Sequence, residues 1–232
     1  MSASDEARLR EGAAELGLTL DDRQCERLLA YGALILKWNK VYNLTALRDS
    51  ALVLTHHLLD SLSVIEPLQR KCPTTIEAAS AMKRKSLLDV GAGAGLPGVV
   101  IAILREDIDV TCIDAVAKKA AFVQQVAVEL KMPNLRGLHG RVELLAGSYD
   151  IVSCRAFASL ADFYRGSFRL LSDDGVWLAM KGKLPETELA DLQQLAILKN
   201  GVDVFHVEHL KVPGLDADRC IVWARRAGLL TT

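Results

Sequence analysis

The densest run of chemically suggestive residues is Asp89-Val90-Gly91-Ala92-Gly93-Ala94-Gly95-Leu96-Pro97-Gly98. Alternate glycines let a backbone approach a ligand closely, and Pro97 suits the first turn of a helix whose free N–H groups point back at the turn. Gly93, Gly95 and Gly98 also fit the dinucleotide-binding spacing, a short pattern whose weight depends on context. About twenty residues further on, an apolar run ends in Asp114, where a carboxylate can accept both hydroxyls of a ribose. Turn and carboxylate together point to a ribose-containing cofactor. The plainer readings are a tight strand-to-helix connection and a strand-end cap. Asp89 would place negative charge beside the ligand, which favours the cationic methionine end of S-adenosylmethionine over the pyrophosphate of a nicotinamide dinucleotide.

Other reactive types are less telling. His56-His57 with Asp60 lack the spacing of a metal site, because adjacent helical residues face different directions and no cysteine ligand accompanies them. No metal is expected. Cys154 ends an apolar run beside Arg155, a place where a thiolate nucleophile can be activated, but a small buried hydrophobe is the simpler reading.

These residues need elements to hold them. Helical spacing of Leu28, Tyr31, Ile35, Trp38 and Tyr42 predicts a long helix over 21–42, opened by Asp21-Asp22. A second helical pattern follows Asp49, with Pro67 marking its end. No strand signal precedes residue 86. RKCPTTIEAASAMKRKS, over 70–86, breaks the periodicity and reads as a linker. Beyond it, strand-like SLLDV, VTCID, LRGLH, DIVSC and GVWLAMK alternate with helices from Leu96, Val116 and Leu160, the grammar of a parallel sheet. VDVFHVEHL and RCIVWARR, separated by Pro213-Gly214, suit an antiparallel hairpin at its edge. The expected organisation is an N-terminal helical extension over 1–69, a linker over 70–85 and an α/β domain over 86–232. That domain is a Rossmann-like, mostly parallel doubly wound sheet with an antiparallel C-terminal edge.

Composition bounds the rest. At 232 residues, half of them hydrophobic and a quarter charged, the chain reads as an ordinary packed protein, not a disordered one. Its apolar stretches, 28–36 and 96–104, are about half as long as the ~20 residues that span a bilayer. MSASDEARLR resembles no secretory signal, and the five scattered cysteines read as reduced thiols, so a cytoplasmic protein is expected.

Six segments carry a family resemblance: DVGAGAGLPG (89–98), KWNKVYNLTALRD (37–49), HHLLDSL (56–62), Arg141-Val142-Glu143, RAFASL (155–160) and Lys181-Gly182. In this order the chain resembles the class I S-adenosylmethionine-dependent methyltransferases, and more narrowly the ribosomal RNA small-subunit methyltransferase G family, over roughly Asp21 to Trp223. The resemblance implies S-adenosylmethionine as cofactor and methyl transfer to N7 of a guanine in 16S ribosomal RNA. It implies that Gly91, Gly93, Gly95, Leu96 and Asp114 hold the cofactor, that Val142 and Glu143 sit at its adenine end and that Arg155 closes the site. Arg141, Arg155 and Lys181 become the candidates for orienting guanine and its phosphates, and His57 a candidate on the RNA side.

Guanine N7 carries an exposed lone pair, so no general base is required. The Asp/Asn-Pro-Pro-aromatic turn of amine methylation is absent from Ser153-Cys154-Arg155-Ala156-Phe157. Lys118, Lys119 and Lys183 are expected to be a solvated rim, Asn39 and Asn43 helix-end residues, and Phe157 either a base-stacking or a core residue. The chain departs from the family pattern in its long linker, with Lys83-Arg84-Lys85, and in Leu144, where a second acid is common. With a net charge of −1 there is no broad attraction for nucleic acid, so a monomer acting on a shaped small-subunit or precursor particle is expected. The rival readings are a nicotinamide-dependent oxidoreductase and a non-catalytic RNA-binding scaffold.

Overall fold

The computed structural model describes residues 3–73, 84–157, 159–194 and 201–227. α1 (Ala3–Glu15), which sequence periodicity does not announce, buries Leu9 and Ala13 one turn apart. α2 (Asp22–Tyr42) starts at a reciprocal cap: Asp21 accepts the Gln24 N–H at 2.7 Å while the Gln24 side chain accepts the Asp21 N–H at 3.1 Å. Asn43 ends it in the left-handed conformation.

After Asp49, which caps the next turn, the helical run α3 comprises Ser50–Val53, a π-helical stretch Leu54–Leu59 and Asp60–Leu62. Pro67 does not end this run. It lies in the first turn of α4 (Ile65–Lys71), where a missing N–H goes unnoticed. α4 thus extends into the expected linker, most of which (74–83, including Lys83) lies outside the described residues.

The sheet comprises β1 (Lys85–Val90), β2 (Ile108–Asp114), β3 (Leu135–His139), β4 (Tyr149–Arg155), β5 (Leu171–Lys181), β6 (Val202–Leu210) and β7 (Arg219–Arg226). Their order is β3-β2-β1-β4-β5-β7-β6. The first five strands run parallel. β7 pairs antiparallel with β5 and β6 with β7, so the closing hairpin forms the expected edge. α5 (Gly98–Leu104), α6 (Ala117–Glu129), α7 (Leu160–Ser167) and α8 (Glu186–Gln194) complete the described helices, with short 3-10 turns at Val142–Leu144 and Phe168–Leu170.

Alternation along the strands divides the core between two faces: Leu87, Ile151 and Leu178 join one cluster and Leu88, Val152 and Ala179 the other. The first cluster also contains Leu9, Leu28, Ile35, Leu58 and Leu62. The N-terminal helices are therefore packed onto the sheet through shared core. The strand order reverses at β1, between β2 and β4, and in such sheets the crevice at the reversal is where ligands lie.

Candidate cofactor and substrate site

The glycine turn follows β1 and hangs on the end of β2, with the N–H groups of Gly91 and Ala92 both donating to the Ile113 carbonyl. Gly91, Gly93 and Gly95 have φ of +65°, +60° and +88°. Their surroundings separate their roles. A Cβ on Gly95 would lie 2.5 Å from Val99 Cγ2, and one on Gly98 would lie 2.5 Å from Cys112 Sγ, so these two glycines permit close helix-to-sheet packing. A Cβ on Gly91 or Gly93 would meet nothing nearer than 3.6 Å, and these two border open space. Leu96 is buried and belongs to the core cluster.

Asp89 corrects an expectation. It does not face a ligand. Fully buried, it accepts the Gly98 N–H at 3.0 Å and the Ser153 hydroxyl at 2.8 Å, closing the turn from the interior. Burial pushes its carboxyl up to about 6. The carboxylate that borders the cleft is Asp114. One of its oxygens accepts the Gly93 N–H at 2.9 Å and the other the Val116 N–H at 2.8 Å, while the Lys119 ammonium lies 3.9 Å away. Its role as strand-end cap is thus realised, and the same bonds aim the carboxylate along the glycine turn.

The cleft has a volume of about 150 Å³ and is lined by Val90, Gly91, Ile113, Asp114, Ala115, Gly140, Arg141, Val142, Glu143 and Phe157. The Phe157 ring stands over Gly91 and packs on Phe163 at 5.7 Å. Apolar walls at Ile113, Val142 and Phe157 suit a purine, Asp114 keeps lone pairs for ribose hydroxyls, and Glu143 can accept from an exocyclic amine. The residues present fit an adenosine-bearing group.

A second cavity, about 250 Å³, lies beside it and is lined by Asp60, Arg155, Ala156, Met180, Lys181, Gly182 and Arg219. Ala156 has a left-handed φ of +54°. It separates Arg155, in the wall of this cavity, from Phe157, in the wall of the first. Arg155 donates to Asp60 Oδ2 at 2.9 Å and to the His56 carbonyl at 3.1 Å, while Arg219 Nε donates to Asp60 Oδ1 at 2.6 Å. A nearly inaccessible carboxylate from the N-terminal helices thus joins two guanidiniums, one at the end of β4 and one at the start of β7.

Lys181 is likewise engaged. Its ammonium lies 2.9 Å from both oxygens of Glu188 and 3.3 Å from the Phe157 carbonyl, and Glu188 also accepts the Leu160 N–H at 2.7 Å. Lys181 therefore braces Phe157 directly and Leu160 through Glu188, and offers no free cation. His57 is buried, its Nε2 2.8 Å from the Thr45 hydroxyl and its Nδ1 3.0 Å from the His56 carbonyl. Burial, reinforced by Arg155, lowers its pKa to about 4, so the ring is neutral and faces inward. Of the three cations expected to orient RNA, Arg141 is the openly presented one, at the cleft rim and 3.9 Å from Glu143.

Lys118 and Lys183 are exposed, as expected of a rim. Asn39 staples the following loop through the Leu47 carbonyl and the Thr45 N–H, and Asn43 accepts from Arg48, both helix-end roles. Cys154 is buried within β4, where burial pushes its thiol up, the state of a core residue. Among the described residues no group of three or more His, Cys, Asp or Glu could hold a metal ion. Sequence reasoning missed Asp60 as an ion-pair centre, Arg219 and Glu188. A lone acid inside the apolar helix LTHHLLDSL was the one usable signal, since such an acid is seldom buried unpaired.

A mostly parallel sheet with a cleft at its strand-order reversal, glycines on one side and a strand-end carboxylate on the other, defines a doubly wound α/β protein, a class in which ligands lie in that crevice. Residues 24–216 match the family described as rRNA small subunit methyltransferase G, and the chain belongs to that family. Similar curated proteins are both named "Ribosomal RNA small subunit methyltransferase G". The one from Albidiferax ferrireducens is 57% identical over 228 residues, covering 97% of this chain and 98% of that protein. The one from Acidovorax sp. (strain JS42) is 55% identical over 224 residues, covering 97% and 96%.

Proposed function

We propose that the protein transfers a methyl group from S-adenosylmethionine to N7 of a guanine in 16S ribosomal RNA, acting as a monomer on the small subunit or its precursor in the cytoplasm. The observation that carries this reading is the pair of adjoining cavities, one nucleoside-like and one bordered by arginines, that share the Arg155-Ala156-Phe157 turn. Asp114, the Gly91–Gly93 backbone, Val142 and Glu143 would hold the cofactor, which supplies an electrophilic methyl on a sulfonium when bound. Arg155 and Arg219 would border the base, whose O6 is an acceptor in the same groove edge as N7, and Arg141 would meet phosphate at the rim.

No described side chain in the second cavity is free to act as a base. Asp60 has both oxygens on arginines, Lys181 is held by Glu188, and the buried, neutral His57 is engaged by the Thr45 hydroxyl. A reaction at N7 needs none, because its lone pair is already available, and positioning then carries the rate. No helix among the described residues is long and apolar enough to cross a membrane. The test is transfer of labelled methyl to small subunits from a strain lacking this gene, followed by mass mapping. A single 7-methylguanosine in 16S RNA is expected, and label on another base or on protein would refute the assignment.

A further inference from the structure

We propose that the last two turns of α2 and the loop after it form a docking platform for substrate RNA beside the cofactor cleft; this rests on the ribosomal RNA reading above. From Arg27 to Arg48 the chain carries four cations, Arg27, Lys37, Lys40 and Arg48, and no acid. Arg27 is consumed by Glu106 at 2.8 Å. Lys37, Lys40 and Arg48 are exposed and make no ion pair among the described residues. On a chain whose net charge is −1, this is a local excess of positive charge. Exposed Val41 (71%) and Tyr42 (39%) lie between those cations. Cations for phosphates, interleaved with an accessible ring for a base, are the chemistry of an unpaired RNA segment.

The packing places this surface at the site. Near its start α2 binds the Lys131 carbonyl, past the end of α6, through Arg27. The Tyr31 hydroxyl then donates to the Ala94 carbonyl in the glycine turn at 2.6 Å, and Trp38 packs on Phe122, in the first half of α6, at 5.4 Å. α2 therefore runs antiparallel to α6 and delivers Tyr42, packed at a tilt against Trp38 at 5.1 Å, to the sheet edge that carries the cleft. The following loop is held firmly. Asn39 staples it, and the Thr45 hydroxyl meets His57, next to the His56 carbonyl that receives Arg155.

The test compares a Lys37→Ala/Lys40→Ala/Arg48→Ala variant and Tyr42→Ala with the wild type, none of these residues lining either cavity. S-adenosylmethionine affinity should be unchanged in both variants and the melting temperature unchanged in the triple variant, while Tyr42→Ala, which also loses its packing on Trp38, should melt a few degrees lower. For the triple variant, KM for small subunits should rise about ten-fold or more with kcat within about two-fold. The log–log salt slope of binding should fall by about 2, at ~0.7 per lost phosphate contact. Tyr42→Ala should raise KM about five-fold or more, the loss of one stacked base. A photocrosslinker placed at Tyr42 should capture 16S RNA.

Unchanged KM and salt slope, or capture of a ribosomal protein in place of RNA, would overturn the platform. The two readings fail separately: a wild type that labels only protein refutes the RNA substrate, whereas a wild type that labels 16S RNA and variants that match it refute only the platform.

Discussion

Asp60→Asn is the sharpest perturbation the structure offers. The side chain of Asp60 is 3% exposed, and those of its partners Arg155 and Arg219 are 21% and 22% exposed. Breaking a buried ion pair from one side costs about 3–5 kcal/mol, because the surviving charge is left uncompensated. Here the guanidiniums retain some water and the amide keeps one acceptor, which lowers the expectation to about 2–4 kcal/mol. For a protein of this size each kcal/mol moves Tm by about 2–4 °C, so a fall of about 5–15 °C is expected.

The same change frees two cations to repel one another in the cavity wall, and a misplacement of about 1 Å there can cost 10²-fold in rate. Thermal unfolding with circular dichroism and methyl transfer to small subunits would measure both effects. The cause is isolated by Arg219→Met in the Asp60→Asn background. If uncompensated charge is responsible, removing one guanidinium recovers about 1–2 kcal/mol, and the two losses are far from additive. A Tm drop below about 2 °C, or strictly additive losses, would refute the reasoning.

Two buried groups should make stability respond to acid in opposite senses. His57 is held down from its ordinary 6.5 to about 4, so its contribution is present above pH 6.5 and is lost as pH falls toward 4. Asp89 is held up from 3.8 to about 6, so the native state grips its proton more tightly and stability is lost as pH rises through that window. Each is worth about 3 kcal/mol at 1.36 kcal/mol per unit, and together they nearly cancel. Asp89→Asn should therefore unmask a steep loss of stability on acidification from pH 6.5 to 4, read by urea unfolding at a series of pH values; a slope equal to the wild type's would contradict it. Lys181→Met should leave the core intact but unclamp the Phe157 loop, weakening S-adenosylmethionine binding in calorimetry by about ten-fold, and unaltered affinity would remove the bracing role. Gly98→Ala should destabilise by several kcal/mol through its clash with Cys112, whereas Gly91→Ala should cost only about 1–2 kcal/mol of left-handed strain, a ranking that chemical denaturation can reverse or uphold.

Much of the fold is legible in the chain because its strands are short apolar runs fenced by turn residues. LRGLH, VDVFHVEHL and RCIVWARR coincide with β3, β6 and β7 residue for residue. α1 escapes because a thirteen-residue helix that buries only Asp5, Leu9, Gly12 and Ala13 has almost no apolar stripe to detect. Pro67 misleads because a proline in a first turn and one past a last turn look alike when two helices are separated by so short a break. At the site, what lies along the backbone is legible and what depends on side-chain partners is not. The glycine turn and Asp114 follow from their spacing. The inward direction of Asp89 depends on Ser153, sixty-four residues away, and the engagement of Lys181 on Glu188, whose helix gave no warning.

That division explains why the site is more than a decorated sheet. A doubly wound sheet supplies the glycine turn and a carboxylate at a strand end, which suffices to hold a nucleoside. The cavity next to it is walled in part by α3, which inserts Asp60 between Arg155, at the end of β4, and Arg219, at the start of β7. Without that carboxylate the two guanidiniums would repel, and the wall facing the cofactor cleft would open. α2 adds the Tyr31 bond to the glycine turn itself and carries its exposed cations to the same edge. The N-terminal helices therefore help wall the second cavity and brace the glycine turn by packing and by charge. The residues involved, Tyr31 and Asp60 from these helices and Arg219 from β7, come from three parts of the chain that share no local pattern, which is why their association emerges only from the folded structure.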